Sequence, residues 1–248
     1  MKALYFDGTK PVYLEDYPKP EASKGHSLIK VLMSAVCNTD REVIKGYRPD
    51  FRGVLGHEFV GVVEDSDDES LIGKRVVGEL NEGCGDCIYC NTNREKHCLT
   101  RKVIGMEGLD GTFSEYFVLA NHLIHPIPDS LPTEKAIYTE PLAAALEILD
   151  MLHIRPSTNV AVIGDGRLAL MIAQVVALTG ADLTIIGSFN HTDKLVTKYP
   201  SEIRTVSLYN LTVSIAYRTH KHPDKTVPRC RYRFWIILHI NRLFAVKI

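Results

Sequence analysis

The stretch CGDCIYCNTNREKHC, residues 84–98, constrains what this chain can fold into more than any other. It holds four of the six cysteines, Cys84, Cys87, Cys90 and Cys98, in the spacing C-x2-C-x2-C-x7-C. Four thiolates so close in sequence can close a tetrahedron around one zinc, the geometry that ion prefers. Such a site has no open position for substrate or water, so the stretch reads as a structural clamp and any catalytic metal must be held elsewhere. Asp86, Asn91 and Arg94 read as loop filling, and His97 as a bystander rather than a fifth ligand. The start, MKALYF, is followed by no long apolar stretch. It therefore predicts no signal peptide, and the clustered cysteines predict a reducing, cytoplasmic setting rather than three disulfides.

The chain has 248 residues, enough for one large domain or two modest ones, and a formal net charge of -1. Near-neutral charge gives no reason to expect a nucleic-acid partner. No apolar run approaches the length that crosses a bilayer, so no membrane partner is expected either.

Hydrophobic patterning changes along the chain. SLIKVLMSAV (27–36), VLGHEFVGVVED (54–65) and GKRVVGEL (73–80) read as strands of a compact β domain, with Gly56 and Gly61 suited to bends or bulges. TEKAIYTEPLAAALEILDML, from residue 133, reads as helix with a kink or fresh start at Pro141. Residues 159–187 then read as strand, tight turn, helix and strand, a βαβ unit whose buried parallel strands are continuously apolar. HTDKLVTKY (191–199) is expected to be a further helix and TVSLY (205–209) a third strand. The last stretch, 216–248, has eight Lys or Arg against one acid, Asp224, and the single tryptophan, Trp235. Its FWIILHI segment could be a strand or a helical turn. The fold class is thus α/β with a β-rich N-terminal part.

Two further patterns can carry chemistry. Cys37 in AVCNTD and the pair His57-Glu58 in LGHEFVG offer sulfur, imidazole nitrogen and carboxylate oxygen, which can share one zinc and leave a position open. Taken singly, each is as readily a core cysteine or a satisfied histidine. The second pattern is VAVIGDGRLAL, in which Gly164 and Gly166 follow an apolar strand and Arg167 and Leu168 open a helix. Gly164 permits the tight bend, Gly166 lets the backbone approach a pyrophosphate, and the helix N-terminus supplies amide dipoles. Ala169, in place of a third glycine, is still small enough for close helix–strand packing.

These pieces, in this order, resemble the medium-chain, zinc-containing alcohol dehydrogenase superfamily, particularly its polyol- and threonine-dehydrogenase-like members. The matching residues are MKAL, C-N-T-D at 37–40, G-H-E at 56–58, the four-cysteine loop, G-T-F-S-E-Y at 111–116, T-E-P-L-A at 139–143 and V-x-G-D-G at 162–166. The resemblance covers roughly residues 1–210. It implies a GroES-like zinc-binding catalytic domain over 1–150 and a partial Rossmann, doubly wound parallel-sheet domain over 151–214. Residues 215–248 are left as an atypical basic tail, expected to be poorly ordered. It implies two zinc ions, one catalytic and one structural, with NAD or NADP, and a small alcohol or carbonyl compound as substrate.

By that resemblance Cys37, His57 and Glu140 are the expected catalytic ligands, with Glu58 as an alternate. Thr39 matches the hydroxyl that passes the substrate proton towards solvent, and Asp40 the carboxylate that orients the histidine. The implied reaction is hydride transfer between an alcohol and the nicotinamide. The acid that usually ends the second Rossmann strand is missing: Gly187 and Ser188 stand there, with Ser188 and Lys194 available towards a 2'-phosphate, so NAD and NADP both remain open. Family members are longer and supply further strands for the nicotinamide half, and residues 211–248 read as a foreign ending. Two functions follow: a working dehydrogenase, expected to be a homo-oligomer like its family, or a truncated, inactive zinc-holding fragment.

Overall fold

The computed structural model describes residues 1–164, 166–187, 204–207 and 236–239. The chain divides into two units, Met1–Glu140 and Pro141–Ile248. Strands and helices are numbered in chain order.

The first unit is built from antiparallel sheet. Five strands make its main sheet: β3 (His26–Ala35), β5 (Glu58–Ser66), β6 (Arg75–Gly78), β10 (Tyr116–Ala120) and β11 (Ile124–Pro126), in the order β10-β3-β5-β6-β11. A smaller sheet sets β1 (Ala3–Phe6) between β2 (Pro11–Leu14) and β4 (Gly53–Val54), and a third joins β7 (Asn81–Glu82), β8 (Lys102–Ile104) and β9 (Gly108–Leu109). Alternation along the strands places Ile29, Phe59, Val63, Val76, Phe117 and Leu119 in one buried cluster, with Phe59 and Phe117 edge to face at 4.7 Å.

The run 54–65, read as strand with Gly56 suited to a bend or bulge, is two strands. Val54 ends β4 and Glu58 starts β5, and Leu55-Gly56-His57 between them is not strand. Gly56 has φ 96°, in the left-handed region that a strand cannot use and that glycine alone enters cheaply. The turn is packed to contact: a Cβ on Gly105 would lie 2.3 Å from the Gly56 carbonyl oxygen, and one on Gly111 2.2 Å from it. This break lifts His57 out of the pleat.

Helix α1 (Asn38–Glu42) follows β3, and α2 (Thr133–Ala136) and α3 (Thr139–Met151) follow β11. Arg75 donates to the Leu131 carbonyl at 2.7 Å and to Thr133 Oγ1 at 3.3 Å, while Ala136 and Ile137 pack against Val60 and Val77. These contacts anchor the segment that leads to Glu140. Pro141 falls in the first turn of α3, where its missing N–H leaves no intrahelical bond unmade.

In the second unit β12 (Asn159–Ile163), α4 (Arg167–Ala177) and β13 (Asp182–Gly187) form the expected βαβ unit, with β12 and β13 parallel. Val160, Ala161 and Val162 are all buried, as a strand covered on both faces requires. Ala169, Ile172, Ala173 and Val176 recur at helical spacing on the buried face of α4, and Ala169 is fully buried. The sheet continues with β14 (Arg204–Ser207), parallel to β13, and β15 (Ile236–His239), antiparallel to β12, in the order β14-β13-β12-β15. The third strand expected at 205–209 is met over 204–207. Of the basic ending, only Ile236–His239 is described; the helix expected at 191–199 and Ser188 and Lys194 lie outside the described residues. The fold is a GroES-like β domain with a Rossmann-type unit, and among the described residues no helix is long and apolar enough to cross a membrane.

Candidate metal centres

Cys84, Cys87, Cys90 and Cys98 present their sulfurs within 4.8 Å of one another, on the loop between β7 and β8. Cys87 and Cys90 are 3.6 Å apart and Cys84 and Cys90 3.9 Å, close to the roughly 3.8 Å that a tetrahedron of Zn–S bonds of about 2.3 Å requires. All the described cysteines are free of disulfides. The thiols are unequal. The Thr100 hydroxyl, 3.5 Å from Cys98 Sγ, leads the contacts that hold that thiol down to about 6, whereas burial pushes Cys90 up to about 12. The Asp86 carboxylate, 2.7 Å from Cys84 Sγ, raises Cys84 as well. A divalent cation is what would let such a crowded set ionise together, so the donor set fits zinc. Gly83 makes room for it: a Cβ there would lie 2.6 Å from Cys90 Sγ. Spacing of the cysteines gave no sign of that glycine's part.

The second centre joins the end of β3, the start of α1 and the start of β5. Cys37, His57 and Glu58 bring one ligand atom each within 4.8 Å of the others. His57 is 3% exposed and Glu58 6%, although imidazole and carboxylate both carry desolvation penalties when buried. Asp40, 2% exposed, links two of the parts: Oδ2 accepts from the Cys37 N–H at 2.8 Å, and Oδ1 lies 3.1 Å from His57 Nδ1. That last pair is out of line for a hydrogen bond, and neither atom has a hydrogen-bond partner among the described residues. Burial works to lower the His57 pKa, but Asp40 and then Cys37 outweigh it and raise it to about 10. Thr39 Oγ1 is 3.6 Å from Cys37 Sγ. The thiol, Asp40, Glu58 and Glu140 thus gather potential negative charge around one imidazole, and this donor set also fits a divalent cation.

Glu140 is not in that group of three. It stands near enough to feel it: burial raises its carboxyl pKa, His57 lowers it, and Glu58 and Asp40 raise it further. The geometry therefore groups Glu58 with Cys37 and His57 and sets Glu140 outside.

In the second unit Gly164 follows β12 with φ 132°, its N–H donating to the Ile186 carbonyl at 2.7 Å, and Gly166 caps α4. Arg167 is exposed, and the Leu168 side chain packs against the unit's core.

A β domain bearing a four-thiolate loop and a mixed sulfur–nitrogen–oxygen centre, with a βαβ unit after it in the chain, defines a zinc-type dehydrogenase fold. Residues 23–129 match the alcohol dehydrogenase GroES-like domain. The chain is 32% identical over 187 residues to an uncharacterized zinc-type alcohol dehydrogenase-like protein of Haemophilus influenzae, covering 73% of this chain and 54% of the relative. It is 32% identical over 199 residues to an L-threonine 3-dehydrogenase of Mesorhizobium japonicum, covering 77% and 57%. Among solved structures, it is similar to a Sinorhizobium meliloti 1021 protein bound to NADP and assigned as a zinc-binding dehydrogenase (26% identity, TM-score 0.74, 83% of this chain and 61% of that one). Another is rspB of Escherichia coli CFT073, complexed with NADH (22% identity, TM-score 0.75, 85% and 63%). The chain belongs to the medium-chain, zinc-containing alcohol dehydrogenase superfamily. It spans a little over half the length of the curated relatives it matches.

Proposed function

We propose that the chain serves a zinc-dependent oxidation of a small alcohol, of the polyol or amino-alcohol kind, to the aldehyde or ketone with NAD or NADP as hydride acceptor. The observation that carries this reading is the meeting of Cys37, His57 and Glu58 within 4.8 Å, with Asp40 behind the imidazole. Three protein ligands leave a position for substrate. Zinc held there supplies a Lewis acid that polarises an alcohol or carbonyl oxygen.

The remaining work falls to the chain. Asp40, with Oδ1 3.1 Å from His57 Nδ1, orients the imidazole by its charge, and a proton kept on Nδ1 leaves the other ring nitrogen as ligand. Thr39, partly exposed and beside Cys37, gives the substrate proton a hydroxyl to pass through on its way to water. Glu140, with its carboxyl raised, is a nearby acceptor for that proton or an alternative ligand. Gly164, Gly166 and the N-terminus of α4 offer backbone amides to the pyrophosphate of NAD(P). The four-cysteine loop holds a second, structural zinc. Residues 1–150 then form the catalytic part and 151–214 the cofactor part.

The test is metal analysis, NAD(P)H binding and turnover of the zinc-loaded full chain over polyols, amino alcohols and secondary alcohols. The proposal expects turnover that Cys37→Ser abolishes. Full activity and unchanged metal in Cys37→Ser would refute the site. A chain that holds both metals but binds neither cofactor is the zinc-holding fragment instead.

A further inference from the structure

One residue outside the ligand set, Thr112, is tied to both sides of the His57 peptide. Its N–H donates to the Gly56 carbonyl, just before His57, at 3.0 Å. On the other side the Glu58 carbonyl accepts from Ser34 Oγ at 2.8 Å, and Ser34 Oγ lies 2.6 Å from Thr112 Oγ1. A hydroxyl has one proton to donate. That of Ser34 is committed to Glu58, so Thr112 donates to Ser34. Thr112 is 1% exposed, and a buried hydroxyl chain of this kind is stiff because breaking any link leaves a polar atom without water.

Ser34 reaches this place through an irregularity in the sheet. Val31 pairs with Gly61 and Met33 with Val60, so Leu32 is an extra residue on β3. One extra residue reverses the faces on which the following side chains emerge. Ile29 and Val31 accordingly pack with Phe59 and Val63, whereas Met33 and Ala35 pack with Val60 and Val77. Ser34, paired with Phe59, emerges on the opposite side from Met33 and meets Thr112; in unbroken register it would face away. Leu32 itself is 47% exposed and stands outside the buried clusters on either face, so its part here is the bulge.

We infer that Thr112, acting directly on Gly56 and through Ser34 on Glu58, is the positioning residue that fixes the His57–Glu58 peptide and so sets the imidazole and carboxylate together. The inference rests on the metal reading of Cys37, His57 and Glu58.

Cobalt(II) titration of the full chain tests it, with the absorption missing from Cys37→Ser taken as the signal of this centre. Thr112→Val, nearly the same shape, is expected to weaken that component by about 10–100-fold, as loss of a hydrogen bond behind a metal ligand does, and to shift its visible bands. Thr112→Ser, which keeps the hydroxyl, is expected to restore both. Ser34→Ala is expected to match Thr112→Val, and the double variant to lose no more than either, because the two hydroxyls act as one chain. The four-cysteine component should stay constant in every sample, a result that a general loss of fold would not give. Unchanged affinity and bands in Thr112→Val and Ser34→Ala would overturn the inference while leaving the metal reading intact. Identical cobalt spectra for the wild type and Cys37→Ser would overturn the metal reading and the positioning role with it.

Discussion

Asp40 shows how much one side chain settles at the candidate catalytic centre. Its two oxygens face the Cys37 backbone and the His57 ring, so removing its charge should disturb both ligands. Asp40→Asn is expected to lower zinc affinity by about 10–100-fold while leaving the four-cysteine metal in place, as measured by competition with a chromophoric chelator. Thr39→Val should mainly lower turnover and leave metal content unchanged, because its hydroxyl touches the centre without joining the ligand group. A third residue gives a pH dependence. Asp7 Oδ1 accepts from the Thr9 hydroxyl at 2.6 Å and from the Thr9 and Lys10 amides at 2.7 and 2.9 Å. The Thr9 hydroxyl leads the contacts that hold its carboxyl down from 3.8 to about 2. A depressed folded value stabilises the charged form. The contribution is therefore complete above pH 3.8 and is lost as pH falls towards about 2. Urea unfolding of the wild type and Asp7→Asn should show a stability difference that is flat above that window and shrinks within it.

At the scale of an element, the cysteine loop depends on what surrounds the sulfurs as much as on the sulfurs. Gly83 has no left-handed backbone to protect, so its constraint is steric: the space of a Cβ is already taken by Cys90 Sγ. Gly83→Ala should displace that sulfur and speed zinc release from the loop, read as the rate of transfer to a chelating dye. A rate equal to that of the wild type would show that the loop accommodates the methyl. The main sheet has a core of its own with no cysteine in it. Stripping metal should therefore raise amide exchange across 81–104 and leave β3 and β5 protected.

For the molecule as a whole, each unit carries its own buried clusters. Leu183, fully buried in the second unit, is expected to cost about 2–5 kcal/mol on replacement by alanine, seen as faster exchange of the slowest amides of β12 and β13. The sequence by itself determined the βαβ unit, because continuous apolar strands and a 3.6-residue period need no distant partner to be recognised. It also determined the four-cysteine cluster, whose sulfurs come from fifteen consecutive residues. Only the tertiary structure decided the rest. Gly56 was legible as a place for a bend in the run 54–65, but not its packing: Gly105 and Gly111 crowd its carbonyl, a contact that local pattern does not contain. Glu58 comes within 4.8 Å of Cys37 and His57 because the end of β3 and the start of β5 are brought side by side. Ser34 and Thr112, 78 positions apart, meet only after one extra residue in β3 has turned Ser34 over. Short-range pattern fixes which elements form, whereas which side chains face one another depends on register, and register is set by packing across the whole sheet.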